Sequence, residues 1–300
     1  MSRHLDESYS LSELAPGQRF LPASQDSTSP GSPLPDVFLT QYTGFSSVTM
    51  HDRTGTANYN SMQTQVNRRF ARGLQMGASW TWAHAMAESG TVPKYNPLSL
   101  TGYSPQGVRH LLVVNWVYAL PKGSTIWSNF LTKTVLDNWS YSGIATFSTG
   151  TPENISFSTN TGVDRTGGPS AAGGDGQRIN VFGNPYLDPG SRTFYKQFNT
   201  SVWGLPAVGY VGNAGPGLLY GPGFSNFEMA MAKELRTWKE KIHFRMEFEA
   251  FKAFNHTEYS GVGTSAVFNV ATGAITNAAF GQVSSTKANR TGQASLRITF

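Results

Sequence analysis

The segment KIHFRMEFEAF, residues 241–251, alternates apolar and polar side chains one residue at a time. The apolar positions are Ile242, Phe244, Met246 and Phe248, and the polar ones are His243, Arg245, Glu247 and Glu249. At the rotation of an α-helix, about 100° per residue, the apolar side chains would fall on opposite sides. At the two-residue period of a β-strand they share one face. The segment is therefore predicted to be a strand with one apolar face and one charged face.

Four other segments show the same alternation. They are LQMGASWTWAHAM (74–86), DNWSYSGIATFSTG (137–150, with Ile144 as an exception), NFEMAMAKELR (226–236) and QASLRITF (293–300). This period, together with the turn signals between segments, predicts seven strands from residue 57 onward. Their approximate ranges are 57–71, 73–87, 107–120, 136–149, 224–236, 239–254 and 291–300. The sequence therefore predicts an all-β protein.

The composition narrows the class of protein. The 300 residues are 39% hydrophobic but only 14% charged, whereas soluble domains carry about 25% charged residues. The chain has no cysteine, which excludes disulfides and thiolate metal sites. Its net charge of +5 comes from dispersed basic residues, so nucleic acid is not predicted as a partner. No apolar run approaches the length of a transmembrane helix.

The connectors between the predicted strands differ in length in an ordered way. Short or moderate connectors alternate with the long ones 88–106, 150–223 and 255–290. In an antiparallel arrangement all long connectors then lie at one end, as in outer-membrane barrels with short periplasmic turns and long external loops. Residues 1–35, rich in Pro and Ser, are interpreted as a loop or disordered arm, and 36–300 as a partial outer-membrane β-barrel.

A lipid bilayer explains why one strand has an apolar face and a charged face. In hydrocarbon every backbone N–H and C=O needs an internal partner, which only helices and closed barrels provide. The apolar face would then contact lipid and the charged face would line a wet lumen. The lumen-facing candidates are Glu228, Glu234, Arg236, Arg245, Glu247 and Glu249. The alternative is a soluble secreted β-sandwich that binds carbohydrate, with its polar face outside; strands of roughly 12–15 residues are long for that fold, where about 5–6 is usual.

Several stretches resemble the C-terminal barrel region of TonB-dependent outer-membrane receptors, specifically the Oar-like group. They are LPDVFLTQYTGF (34–45), ANYNSMQTQVNRRFARGLQMGASWTWAHAM (57–86), LDNWSYSGIATFSTGTP (136–152), FKAFNHTEY (251–259) and FGQVSSTKANRTGQASLRITF (280–300). The resemblance covers roughly residues 34–300. It rests on the order and spacing of these stretches and not on any single motif.

The resemblance implies a 22-stranded barrel plugged by an N-terminal domain, which imports a scarce or large ligand with energy passed on by the TonB complex. About seven strands are a third of such a barrel, and no plug, TonB-contacting segment or signal peptide is recognised. We therefore expect a fragment, a truncated gene or a mis-set start at Met1. An outer-membrane location in a Gram-negative bacterium is expected once a signal peptide precedes the chain. Loops rich in Gly, Asn, Ser, Thr and Tyr suit a carbohydrate or peptide ligand.

Phe300 resembles the terminal aromatic that the outer-membrane assembly machinery reads, and its alternative role is that of an ordinary interfacial aromatic. The lumen-facing charges would form a ligand path or merely pair with one another across the lumen wall.

Catalytic and metal-binding signals are weak. The six histidines lack metal-ligand spacing. The stretch 164–178 would bind calcium through Asp164 and Asp175, or would simply be a flexible loop. No nucleophile, base and acid can be assembled from spacing, so the chain is expected to be neither an enzyme nor a cofactor-binding protein.

Overall fold

The computed structural model describes residues 2–87, 90–92, 104–162, 164–168, 178–237 and 242–300 of the chain. The strands are β1 Ser2–Ser10, β2 Thr49–Ala71, β3 Leu74–Ala87, β4 Gly90–Val92, β5 Ser104–Gln106, β6 His110–Ala119, β7 Trp139–Ser148, β8 Pro152–Glu153, β9 Ser156–Thr159, β10 Asn180–Val181, β11 Trp203–Gly204, β12 Leu219–Tyr220, β13 Phe224–Thr237, β14 Ile242–Phe251, β15 Tyr259–Val262, β16 Ser265–Phe268, β17 Val283–Thr286 and β18 Thr291–Thr299. The α-helices are α1 Asp36–Leu39 and α2 Phe130–Leu136. Single 3-10 turns occupy Gln18–Phe20, Pro22–Ser24, Gly123–Thr125, Pro189–Ser191 and Thr200–Val202.

A large antiparallel sheet dominates the described part of the chain. Each of the seven predicted segments coincides with one of its long strands, β2, β3, β6, β7, β13, β14 and β18. These strands follow one another in the sheet in chain order, each hydrogen-bonded to its predecessor. The prediction of an all-β antiparallel meander is therefore confirmed. The sheet is open, with β18 at one edge and β4 at the other.

The N-terminal segment differs from the predicted loop or disordered arm 1–35. Residues 2–10 form β1, which pairs with β2 from Ala57 to Thr49. Strand β2 begins at Thr49, eight residues before its predicted start, and this additional length provides the pairing partner for β1. Its residues 49–56 lie beyond the pairing with β3, which starts at Ala57, and their backbone groups need other partners. Strands β4 and β5 also join the sheet, which gives ten strands in the described residues instead of the predicted seven.

The connectors alternate between the two ends of the sheet, as an antiparallel order of strands requires. The β2–β3 turn consists of Arg72 and Gly73, whose φ angles are 51° and 82°. Two positive φ values fit the tight hairpin turns that match strand twist. This turn shares one end of the sheet with the β6–β7 connector. Residues 238–241, between β13 and β14, lie outside the described ones. Of the predicted external loop 88–106, only β4 and β5 are described.

The register places most of the large apolar residues of the seven long strands on one face. Directly opposite residues of antiparallel neighbours share a face, and the apolar face includes Met62, Trp80, Trp116, Tyr141, Met231, Phe248 and Ala294. The other face carries mostly polar residues, with apolar exceptions that include Tyr59, Leu111, Val113, Val117 and Ile144. A one-residue slip would exchange the faces, so the alternation also fixes the register.

The long connectors 149–223 and 252–290 pack together into a unit that we call the loop cluster. Four small sheets form within it, and β9 pairs in parallel with β16 of the other connector. Backbone bonds join the connectors again, as in Gln197 N–H to the Gly281 carbonyl at 2.8 Å. The buried core of the cluster consists of Phe157, Ile179, Phe198, Trp203, Ala214, Leu219, Ala266, Phe268 and Phe280. The described parts of two of the three predicted external loops, 150–223 and 255–290, are therefore a packed unit with a hydrophobic core.

Arg19 fastens the N-terminal segment to the loop cluster. Its guanidinium donates to both carboxylate oxygens of Asp36, at 2.9 and 2.7 Å, and to Asp164 at 2.6 Å. The hydrogen bond with Asp36 outweighs partial burial and raises the pKa of Arg19 above its ordinary value. A bidentate pair of this kind also fixes geometry, so residues 15–21 are held against 164–168.

No helix among the described residues is long and apolar enough to cross a membrane.

Candidate functional site

The predicted lumen-facing charges lie on the polar face of the large sheet. Glu234 stands opposite Arg245, and the Arg245 guanidinium contacts the carboxylates of Glu234 at 3.5 Å and Glu247 at 3.3 Å. The side chains of Arg245 and Glu234 are exposed. Exposed pairs of this geometry contribute about 0.2–1 kcal/mol each. These three charges therefore form a local ion-pair group, as expected of charges that pair across a wet wall.

The other three predicted charges lie on the same face but apart from that group. The backbone of Arg236 pairs with His243, and its side chain lies outside the described residues. Glu228 accepts a hydrogen bond from Asn226 at 3.1 Å, and Glu249 accepts one from Gln293. Among the side chains that the structure describes, no cation forms an ion pair with Glu228 or Glu249.

A cavity of about 500 Å³ lies on this polar face and includes Glu228 and Glu249 in its lining. Strands β2, β3, β6, β7, β13 and β14 all contribute to it, through polar-face residues such as Asn67, Gln75, Asn115, Ser142, Glu228 and Glu249. A single cavity lined by six neighbouring strands requires the sheet to curve around it. The polar face is therefore concave and the apolar face convex, as in a barrel wall with a wet interior.

Lys233 is a charged residue that the pattern-based prediction did not include. It lies on the apolar face, opposite Trp139 and Met246, yet it is only 3% exposed. Its ammonium donates to the backbone carbonyls of Val135, at 3.1 Å, and Asp137, and lies 5.4 Å from the centre of the Trp139 ring. In the sequence, this lysine occupies one of the positions that are otherwise apolar in the alternating segment 226–236. A partnered cation at a strand end is compatible with a lipid-facing surface.

A second polar group joins the outer end of the sheet to the loop cluster. The buried Glu258 carboxylate contacts the Lys252 ammonium at 3.1 Å and accepts the backbone N–H of Ser225 at 2.9 Å. Burial alone would raise the pKa of Glu258. The hydrogen bonds from Lys252 and Ser225 and the charges of Lys252 and Lys287 outweigh it, so this pKa lies below its ordinary value. Nearby, a cavity of about 520 Å³ separates the strand ends from the cluster.

This lowered pKa predicts a pH-dependent attachment of the loop cluster. Because the folded pKa is depressed, the contribution of Glu258 is fully present above the ordinary Glu value of about 4.3 and is lost as the pH falls through the folded value. We expect the melting temperature of the cluster, followed by near-ultraviolet circular dichroism, to fall as the pH drops below about 4.3 and through the folded value. Glu258→Gln should show a smaller fall. Equal pH dependence in both proteins would contradict a role for this carboxylate.

The remaining sequence candidates are placed as follows. The Asp164 carboxylate accepts hydrogen bonds from Arg19 and from the N–H and hydroxyl of Thr166, while Asp175 lies outside the described residues. Across the described ranges, no three His, Asp or Glu side chains come together as a metal-binding group. Phe300 follows β18 and its side chain is fully exposed. Its role in assembly stays a prediction.

These features define a class of protein. A curved antiparallel meander with a convex apolar face, a concave polar face, short connectors at one end and a large packed cluster at the other is a membrane-spanning β-barrel wall. The chain matches the family model of the outer membrane beta barrel domain over residues 1–293. The chain therefore belongs to that family, and its place is the outer membrane. No curated protein and no solved structure matches the chain.

The family membership also decides between the two folds considered from the sequence. A soluble β-sandwich buries its apolar faces between two packed sheets. Here the apolar face of the large sheet carries exposed residues such as Met62, Phe248 and Leu296, and the only buried aromatic core of the described residues lies in the loop cluster. The soluble sandwich is therefore not favoured.

Proposed function

We propose that these 300 residues form the C-terminal part of the 22-stranded barrel of a TonB-dependent outer-membrane receptor, in a Gram-negative bacterium, for uptake of a scarce or large ligand. The receptor would be similar to the Oar-like group. A plug, and a signal peptide for export, would be contributed from outside residues 1–300. In this proposal the chain performs no chemical reaction and binds no cofactor.

The observation that carries the proposal is the combination of a polar cavity on the sheet with a large packed unit at one end of the same sheet. The cavity of about 500 Å³ on the concave face offers the carboxylates Glu228 and Glu249, together with Arg69, to a passing ligand. The loop cluster is held to the strand ends through Glu258 and so keeps a fixed position at that end of the sheet. A passive pore has no need of a folded unit of this size, whereas a receptor needs a surface for first contact.

The proposed partners follow from the apolar face of the sheet, from Phe300 and from the loop cluster. Outer-membrane lipid surrounds the apolar face, and the outer-membrane assembly machinery inserts the barrel, with Phe300 as a part of its signal. The TonB complex would act only through the plug. The ligand would be a carbohydrate or a peptide, since the loop cluster exposes aromatic side chains such as Phe182, Tyr195 and Tyr210 on which sugar rings and apolar side chains can pack.

Energised uptake tests the proposal. Cells that express the full receptor gene are given fluorescently labelled oligosaccharides in one arm and labelled peptides in another. We expect one class of probe to accumulate only in cells with both the gene and TonB, and a protonophore to abolish this accumulation. A deletion strain lacking the gene is the control for background entry.

Uptake of small and large probes alike, unaffected by loss of TonB or by the protonophore, would contradict the proposal and assign the barrel to passive diffusion. Binding of a probe at the cell surface without any accumulation would also contradict it, because the protein would then act as an adhesin.

A further inference from the structure

The connector between β6 and β7, residues 120–138, exposes more large apolar side chains than its length explains. Ile126 is 80% exposed, Phe130 81% and Trp127 72%. Leu131, Val135 and Leu136 are also exposed. A contiguous apolar surface of this kind on a folded segment marks a contact with another molecule or with a membrane.

This connector has a defined fold, so its exposed apolar side chains belong to an ordered surface and not to a frayed segment. The Asn129 side chain accepts the backbone N–H of Thr132 at 2.7 Å, and the Thr132 hydroxyl lies 3.2 Å from the N–H of Asn129, which makes a capping box at the start of α2. The Asp137 carboxylate accepts the backbone N–H and the hydroxyl of Ser124, at 2.9 and 2.6 Å. Both ends of the connector are thereby fixed against each other.

The position of α2 follows from its contacts with the large sheet. The Trp139 indole N–H and the Lys233 ammonium both donate to the carbonyl of Val135, in the last turn of α2. Trp139 and Lys233 face each other on the apolar side of the sheet. The helix therefore sits at the rim of the apolar face and not over the polar cavity, so its exposed side chains continue the surface that contacts lipid.

The charge of the connector fits the surface of a phospholipid leaflet. The connector contains Lys122 and Lys133, and the carboxylate of its one acidic residue, Asp137, is bound to Ser124. Lysines beside an apolar helical surface are typical of helices that lie in the membrane interface, where the apolar side chains enter the acyl boundary and the cations contact phosphate groups. Trp127 and Trp139 are also residues that favour this interface.

We propose that α2 and the turn before it form an interfacial anchor, which inserts Ile126, Trp127, Phe130 and Leu131 into the lipid leaflet at the short-connector end of the barrel. The occupant of this surface is phospholipid. The anchor would fix the depth and tilt of β6 and β7, because it is tied to the ends of β7 and β13 through Trp139 and Lys233. It does not depend on which ligand the barrel takes up or on whether TonB energises it.

The chain contains no cysteine, so single-cysteine variants report one site each. Phe130→Cys and Trp127→Cys are labelled with a polarity-sensitive fluorophore in the full protein, which is then reconstituted into phosphatidylcholine–phosphatidylglycerol vesicles. Tyr195→Cys is the matched control, since Tyr195 is 71% exposed and Trp127 72%, but Tyr195 lies in the loop cluster. A second vesicle preparation carries lipids with a spin-label quencher just below the headgroup.

We expect blue-shifted emission at positions 127 and 130, and loss of about half or more of it with quencher lipids, because interfacial helices sink about 5–10 Å into the headgroup and acyl boundary. Position 195 should emit as in water and stay unquenched. Water-like, unquenched emission at 127 and 130 in correctly folded protein would overturn the proposal. So would a blue shift that quencher lipids leave unchanged and that grows with protein density, because another copy of the chain would then cover this surface.

Discussion

Leu296→Arg is expected to lower the free energy of unfolding in a bilayer by about 2–4 kcal/mol, the cost of arginine on the lipid face near the membrane midplane. Leu296 lies in the middle of β18, opposite Met246 on the apolar face. Its side chain is exposed, so lipid is its surrounding in the membrane. Equilibrium unfolding by guanidinium, from phosphatidylcholine vesicles and followed by tryptophan fluorescence, measures the change.

The adjacent residue supplies the matched control for this experiment. Ser295 is exposed on the opposite face, across from Glu247, and Ser295→Arg should change the stability by no more than about 0.5 kcal/mol. Ile298→Arg should fall between the two, because Ile298 faces lipid closer to the end of the strand and the cost declines toward the interface. A cost for Ser295→Arg equal to or above that for Leu296→Arg would reverse the two faces of the sheet and remove the basis of the fold assignment.

The strands and their faces could be predicted from the sequence because one physical constraint acts at every position. Residues of β14 from Ile242 to Glu249 alternate between lipid and water, and the pleat has the same period as that alternation. The partners of β14 are its neighbours along the chain, so its pairing with β13 needs no long-range information. The same reasoning explains why Glu234, Arg245 and Glu247 could be predicted to share a face.

The loop cluster could not be predicted, because its core lacks any period. Phe157 and Phe268 pack together with ring centres 6.0 Å apart, although more than a hundred residues separate them in the chain. Each lies in a stretch dominated by Gly, Ser, Thr and Asn, a composition that by itself indicates open loops. Such a core arises only when two connectors meet, and a single sequence does not show which connectors meet.

The contacts of Lys233 and Glu258 illustrate the same limit for polar residues. Lys233 interrupts an apolar alternation, and this can be read from the sequence. Its partners are the backbone carbonyls of Val135 and Asp137, which any sequence would supply, and only the fold brings them near. Glu258 pairs with Lys252 six residues away, but its burial depends on Ser225 at the start of β13. A charged residue can be identified from the sequence itself, whereas its burial depends on residues that only the fold brings near it.

Phe268→Ala is expected to destabilise the loop cluster by about 3–5 kcal/mol, the usual cost of removing a buried phenylalanine ring. Phe268 is fully buried and contacts Phe157 edge to face. The β13–β14 and β14–β18 ladders lie outside this core and keep their own backbone hydrogen bonds. Hydrogen exchange measured by mass spectrometry should therefore accelerate by about a hundred-fold or more in the cluster, with β13 and β14 unchanged.

Phe182→Ala is the control for this change, since Phe182 lies in the same cluster with an exposed side chain and should alter the exchange by less than about 0.5 kcal/mol in equivalent free energy. If Phe268→Ala accelerates exchange in β13 and β14 as strongly as in the cluster, the barrel wall depends on the cluster and the two are one folding unit. If it accelerates exchange nowhere, the buried aromatic core does not hold the cluster together. In the expected case, the proposed receptor function adds a second outcome: the opened cluster should lose its ligand while the barrel remains in the membrane, because the proposal assigns first contact to the cluster and the large sheet faces lipid.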